Sequence, residues 1–354
     1  MAPCRRSAPR LSRSRRMKIF VTGGSGFLGA RLIPRLMAEG HEVLAMARSP
    51  SADGKLRALG AVPVHGDMNN PGDMEMPPVD AVIHLAAHFR FAGPRAPYLR
   101  VNVDGTKALL KAARAAGASS FIYLTAAAVI MDDRGSPIRN ADERAPTFPD
   151  SFSPYIASKA TSEAGVLAAS GSGLRTIAIR PPGIWGPGDA FSRNIPHAIR
   201  SGRFAFIARG DYPYSTCHVD NVVEALICAL DRGEGGRAYF VRDPENTTFR
   251  AFIDGLAKLQ GLSIDTLRSV PYGTAFFMGR MMELGARIRR ADQDPPLSRT
   301  MVRLIGRPFT IDDSAARRDL GYVGRVSRLE GLASYGVGQP PGGGASDGCL
   351  TDAR

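Results

Sequence analysis

The chain has a single tryptophan, four cysteines and only 7% aromatic residues. Cys4, Cys217, Cys228 and Cys349 lie far apart, without metal-ligand spacing or an even framework. A disulfide-stapled secreted module and a cysteine-built zinc site are therefore not expected. Reduced thiols and a cytoplasmic location are the simplest reading. No uninterrupted apolar run approaches the roughly 18 residues of a membrane span. Acidic residues are also in deficit, with 33 against 46 lysines and arginines, for a net charge of +13. Aromatics are not interleaved with the basic residues, so a nucleic-acid partner is not expected. Arg5, Arg6, Arg10, Arg13, Arg15 and Arg16 carry much of the excess, leaving about +7 for the rest.

Residues 1–16 are rich in Arg, Ser and Pro, with little to bury, and are expected to be a disordered basic extension. Either they form a transit peptide, or they lie upstream of a natural start at Met17. The Gly- and Pro-rich segment 336–354 is expected to be a disordered tail. Between the ends, β-branched runs alternate with helical stretches. KIFVT, EVLAMA, AVPVH, DAVIHLA, FIYLTAAAVI (121–130) and TIAIRP read as strands, and helices follow the glycine loop, cover about 97–116 and start near Ser153. This alternation predicts an α/β fold, a doubly wound parallel Rossmann sheet over 17–190 that later strands can join. Helices near 192–201, 219–231, 248–260, 273–290 and 297–306 predict a smaller, mostly helical substrate lobe over 191–335. Pro34 inside the first helix should cost about 3 kcal/mol or kink it.

Thr22-Gly23-Gly24-Ser25-Gly26-Phe27-Leu28-Gly29 joins the first strand to the first helix. Gly23 permits a tight turn, Gly26 lets backbone approach a pyrophosphate, and Gly29 lets helix pack on strand. The helix N-terminus offers free N–H groups to phosphate, with Ser25, Phe27 and Leu28 on the same cradle. A tight turn needs glycines too, but strand-before and helix-after point to a dinucleotide. NAD sites place an acid at the end of the second strand, and NADP sites supply arginine. Here Ala47 is followed by Arg48 and Ser49, which favours NADP(H) and leaves NAD(H) open. Asp67, with Met68 after it, follows the third strand where adenine would lie.

Ser153 and Pro154 open a helix on which Tyr155 and Lys159 stand four apart, on one face. A tyrosine with its pKa near 10 needs a neighbouring ammonium to exchange protons with a substrate oxygen near neutrality. His84 and His88 are also four apart, yet they sit at a strand end without a HExxH pattern, so no metal is expected.

Together these motifs resemble the extended short-chain dehydrogenases/reductases over roughly residues 17–335. Further pieces of the resemblance are His84-Leu85-Ala86-Ala87, Val101-Asn102-Val103, the loop Arg180–Gly188 and the segment Ser215–Val223. RPPGIWGPGD, HVDNVVEA and DLGY are most similar to the 3β-hydroxysteroid dehydrogenase/sterol 4-carboxylate dehydrogenase branch. The resemblance implies an oxidoreductase moving hydride between a nicotinamide cofactor and a small-molecule alcohol or ketone, as a monomer or homodimer. It implies cofactor contacts from Leu85, Ala86, Ala87, Asn102, Thr125, Tyr155, Lys159, Pro182, Gly183 and Ile184. It also expects a Ser or Thr beside the tyrosine. Alignment puts Ala126 there, with Thr125 one residue earlier and on the opposite strand face unless the strand bulges. Thr125 therefore serves with Tyr155 and Lys159, or the enzyme works without a side-chain hydroxyl. A sugar-nucleotide epimerase and a non-catalytic cofactor-binding regulatory or assembly protein are the rival readings. A dehydratase is disfavoured by the alanines after Thr125. The stretch 272–290 sets apolar residues beside arginines and reads as a packing helix, a lid over an apolar substrate, or a membrane-surface helix.

Overall fold

The computed structural model describes residues 16–289 and 293–336. The expectations for 1–15 and 337–354 lie outside the described residues. The central sheet has seven strands, in the order Arg237–Phe240, Arg175–Arg180, Ser120–Leu124, Ala81–His84, Lys18–Thr22, Glu42–Ala47, Val62–His65. Every neighbouring pair is parallel. The strand order reverses between Lys18–Thr22 and Ala81–His84, so a crevice opens where Thr22 pairs with His84. Ligands of doubly wound sheets bind at such a reversal.

Alternation along the strands explains the layers. Ile19, Val21, Val43, Ala45, Ile83, Ile122 and Ile177 pack on one face, with Leu32 and Leu36 of the Gly29–Ala38 helix and Val222 and Leu226 of the Val219–Asp231 helix. Phe20, Leu44, Val82, Phe121, Tyr123 and Ala178 pack on the other, with Leu109 of Gly105–Ala115 and Val166 of Pro154–Ala168. Burying apolar area on both faces, at roughly 25 cal/mol per Å2, is what holds such a sheet. Pro34 is exposed in an unbroken helix, where it removes only one N–H from the ladder.

Three features differ from the sequence expectation. The strand expected over 121–130 ends at Leu124, and Ala127–Ile130 forms a 3-10 turn. The helix expected over 97–116 is interrupted by a π-helical stretch, Leu99–Asp104, which carries Asn102. The division at 190 is crossed in both directions. Arg237–Phe240 joins the Rossmann sheet, as later strands were expected to, and Val219–Asp231 packs on it as well, while Ile138–Ala141 leaves to pair with Phe309–Ile311 in a four-stranded sheet of the smaller lobe. The other later helices form close to where they were expected, at Ala190–Arg200, Phe249–Lys258, Tyr272–Ile288 and Arg299–Ile305.

Candidate active site

The glycine loop lies at the crevice. Gly23 has φ +71°, and a Cβ there would lie 2.8 Å from the Ala86 nitrogen, so only glycine lets the loop lie against the end of the Ala81–His84 strand. A Cβ on Gly29 would collide with the Gly24 backbone. The helix beginning at Gly29 has no side-chain cap at Leu28 and no acid in its first turn. Its N-terminus therefore keeps its positive partial charge for an anion. Phe27 reaches toward Gly188 across the crevice, 3.7 Å from the position a Cβ would take. Arg48 is exposed at the end of its strand, and Ser49 caps the next helix by accepting from Ala52 N–H, which leaves its own hydroxyl hydrogen available. Asp67 accepts from the backbone and side chain of Asn69, and Met68 is buried beneath Gly105.

Behind the loop runs a buried hydrogen-bond chain. Ala86 N–H donates to the Thr22 hydroxyl, and Thr106 donates to the Asn102 carbonyl. His84 Nδ1 lies 2.6 Å from Thr22 Oγ1 and Nε2 lies 2.9 Å from Thr106 Oγ1. With the Thr106 proton committed, Nε2 donates and Nδ1 accepts from Thr22, which fixes a neutral imidazole. Burial, with Lys159 nearby, brings the His84 pKa down to about 3. Asn102 is 1% exposed and spends both amide hydrogens inside the protein, on the His88 carbonyl and the Ser158 hydroxyl, while accepting from His88 N–H. It therefore positions the 85–88 segment against the Tyr155 helix. Its side-chain donors are thus committed within the protein.

Ser153 caps the Pro154–Ala168 helix and Pro154 opens it. The Tyr155 ring stands edge-on to Phe89, with centroids 4.7 Å apart, and its hydroxyl makes no hydrogen bond to a described residue. Burial pushes the Tyr155 pKa up, holding it as the neutral phenol. One turn on, Lys159 is 2% exposed, donates to the Leu124 carbonyl at 2.6 Å and lies over the Tyr123 ring. Burial pulls its pKa down to about 7, with the Glu163 carboxylate pulling the other way. Glu163, a further turn on, forms a two-pronged buried pair with Arg180. Lys159, Glu163 and Arg180 make a buried row of alternating charge that the sequence reading missed. The spacing of Lys159 and Glu163 was the available signal.

Thr125 does not take the place of the absent hydroxyl. Its N–H donates to the Ile179 carbonyl and Ala127 N–H donates to the Pro181 carbonyl, so the parallel pairing continues without a bulge. The Thr125 hydroxyl is buried without a hydrogen-bond partner, Tyr155 included. Ala126 and Tyr155 both pack against the apolar cluster of the smaller lobe. Pro182 is buried, and Gly183 and Ile184 are half-buried on a short strand paired with Thr216–His218. This loop is fixed by Asp243, which accepts from Trp185 Nε1, Thr216, His218 N–H and Asn221. Asp243 was not singled out beforehand, because its partners are remote in sequence.

A glycine cradle at the sheet reversal, beside a buried Tyr-x-x-x-Lys helix, defines an extended short-chain dehydrogenase/reductase: an NAD(P)-dependent oxidoreductase acting on hydroxyl and keto groups. The chain belongs to the 3-beta hydroxysteroid dehydrogenase/isomerase family, whose model matches residues 20–271. The 4-hydroxy-2-methyl-3-oxo-4-farnesyl-3,4-dihydroquinoline-1-oxide ketoreductase of Stigmatella aurantiaca is 38% identical to it over 332 residues, 93% of this chain and 98% of that protein. The sterol-4-alpha-carboxylate 3-dehydrogenase (decarboxylating) of Dictyostelium discoideum is 30% identical, over 89% and 98% of the two chains. Among solved structures, the UDP-glucose 4-epimerase of Thermotoga maritima shares the fold, with a TM-score of 0.70 at 19% identity, over 90% and 97% of the two chains.

Proposed function

We propose that this chain is an NADP(H)-dependent ketoreductase, acting on the carbonyl of a bulky apolar molecule, with Tyr155 as proton donor. The observation that carries this is the Tyr155 hydroxyl, unpartnered, beside the exposed ring of Phe89 and one helical turn from a buried lysine. The residues fit a dinucleotide, because the uncapped helix and the Gly23 approach leave backbone N–H groups for its phosphates. When bound, the reduced nicotinamide supplies the hydride. Tyr155 gives its proton to the carbonyl oxygen, so a ketone becomes a secondary alcohol. A tyrosine held as the phenol near neutrality is in the form that can donate to a carbonyl oxygen. The Lys159 ammonium steadies the phenolate left behind. Gly23, Ser25, Gly26, Phe27, Leu28 and Gly29 cradle the pyrophosphate, Leu85, Ala86 and Ala87 flank it, and Asp67 and Met68 border the adenine. Pro182, Gly183 and Ile184 wall the nicotinamide. The apolar-substrate reading draws on relatives named as reductases of a farnesylated quinoline oxide and of 2-alkyl-3-oxoalkanoates. Cys217 and Cys228 are unpaired among the described residues, and no helix among them is long and apolar enough to cross a membrane.

Arg48 and Ser49 support the choice of NADP(H). A charge-assisted bond to the 2′-phosphate contributes about 1.5–3 kcal/mol, or roughly 10–150-fold in affinity. Titrating both cofactors against the wild type and Arg48→Ala tests this. NADPH should bind more tightly to the wild type, and the substitution should weaken NADPH alone by that factor. Equal affinities in the wild type, or equal losses in the variant, would remove the assignment.

A further inference from the structure

The Tyr272–Ile288 helix packs on Arg299–Ile305 through a narrow face, with Ala275 and Gly279 buried. The opposite face carries Phe277, Met281, Leu284 and Ile288, spaced i, i+4, i+7 and i+11, and these are 62%, 49%, 50% and 74% exposed. At 100° per residue they form one outward stripe. Arg280 and Arg287 line one flank, both exposed and neither in an ion pair with a described residue. The only acid on the helix, Glu283, is turned inward onto Arg299 at 2.7 Å. The helix thus shows solvent an apolar ridge bordered by positive charge.

We infer that this helix lies on an anionic membrane surface, with the stripe in the acyl boundary and Arg280 and Arg287 on lipid phosphates. Two observations separate this occupant from a second copy of the chain. In a two-fold pair of these stripes the four arginines would border one seam, with no acid on the helix free to answer them, since Glu283 is held by Arg299. The stripe is also small: a 17-residue helix is about 26 Å long, so pairing would bury several hundred Å2, well short of the ~1,200 Å2 of a stable interface. A membrane needs only the apolar ridge and cations at its edge. The stripe points away from the protein, so it does not form the inner surface of a lid.

The helix is linked to the cleft at both ends. Phe276 stands against Phe152, next to the Ser153 cap of the Tyr155 helix. After the helix, Asp294 accepts from Arg90 Nε, Phe91 N–H and Ala92 N–H, holding the segment that carries Phe89. A lipophilic substrate dissolved in the bilayer would therefore meet the cleft beside its anchor.

Co-sedimentation of the full chain with vesicles tests this without turnover, so its result is independent of the catalytic assignment. Vesicles of phosphatidylcholine containing about one-third phosphatidylglycerol should bind the wild type at least tenfold better than pure phosphatidylcholine. The double substitution Met281→Glu and Leu284→Glu should abolish binding to both while leaving cofactor affinity intact. Replacing Arg280 and Arg287 by Gln should weaken binding to the anionic vesicles by about thirtyfold, at about 1 kcal/mol per arginine. A wild type that stays in the supernatant with anionic vesicles would overturn the inference. So would sedimentation velocity showing a dimer that the stripe substitutions convert to monomer, because the stripe would then belong to a second copy.

Discussion

Tyr155, Lys159, Glu163 and Arg180 show how few residues set the chemistry and how unequal their legibility is. The Tyr155–Lys159 pair is readable because four-residue spacing implies a shared helix face. Glu163 extends the same spacing, but its meaning depends on Arg180, 17 residues on and at the end of a strand. That pair is fully desolvated, and the Arg180 Nη1 atom already finds no hydrogen-bond partner among the described residues. Glu163→Gln should therefore lower stability by about 3–5 kcal/mol, the cost of leaving a buried charge uncompensated. Denaturant unfolding checks it; a loss under about 1 kcal/mol would mean the guanidinium escapes to water. Position 126 offers a second test. Ala126→Ser supplies the hydroxyl that the family resemblance leads one to expect beside the tyrosine and should raise kcat. Thr125→Ala should leave kcat unchanged, because its hydroxyl is buried in a regularly paired strand end. A large drop on Thr125→Ala would restore that threonine to the reaction.

Among elements, the helix from Pro154 to Ala168 brings the site together, and its Lys159 gives the fold a pH signature. The Lys159 pKa falls from the ordinary 10.5 to about 7 on burial. Between these values the unfolded chain holds a proton that the folded chain has lost. Stability of the cofactor-free protein should therefore rise with pH from about 7 upward, through this residue. Below about 7 both states are protonated and the desolvation cost is fully present. Lys159→Met should remove that slope, measured as the difference between the two proteins' unfolding free energies from about pH 6.5 to 9. Parallel curves would show that the ammonium reaches solvent. The 121–130 strand illustrates the limit of element-level reading. FIYL and AAVI are both apolar, and a short apolar run does not by itself distinguish a strand from a turn of helix. The chain turns at Ala127, whose N–H donates to the carbonyl of Pro181, just past the end of the neighbouring strand.

For the whole molecule, the Rossmann half was legible because its pairings follow local strand-helix alternation and its glycine loop punctuates the first crossover. In the second half the helices were legible but the strand pairings were not, since their order rests on long-range partners. Arg237–Phe240 joins the sheet beside Arg175–Arg180, and Ile138–Ala141 crosses to Phe309–Ile311. No local pattern marks either pairing. Asp243 is similar: in the sequence it is a loop acid before a proline, and in the fold it gathers donors from Trp185, Thr216, His218 and Asn221. Asp243→Ala should destabilise the smaller lobe's junction, leaving several buried donors unpaired at about 1–3 kcal/mol each.

The central claim is that the Tyr155 phenol protonates a substrate carbonyl in a bound-nicotinamide site. Steady-state NADPH oxidation with a panel of bulky apolar ketones, comparing the wild type with Tyr155→Phe, tests it most directly. Cofactor affinity measured on the same two proteins separates binding from chemistry. The account predicts unchanged NADPH binding and a fall in kcat of at least about 100-fold, the scale of a lost general acid. Near-normal turnover by Tyr155→Phe would contradict it.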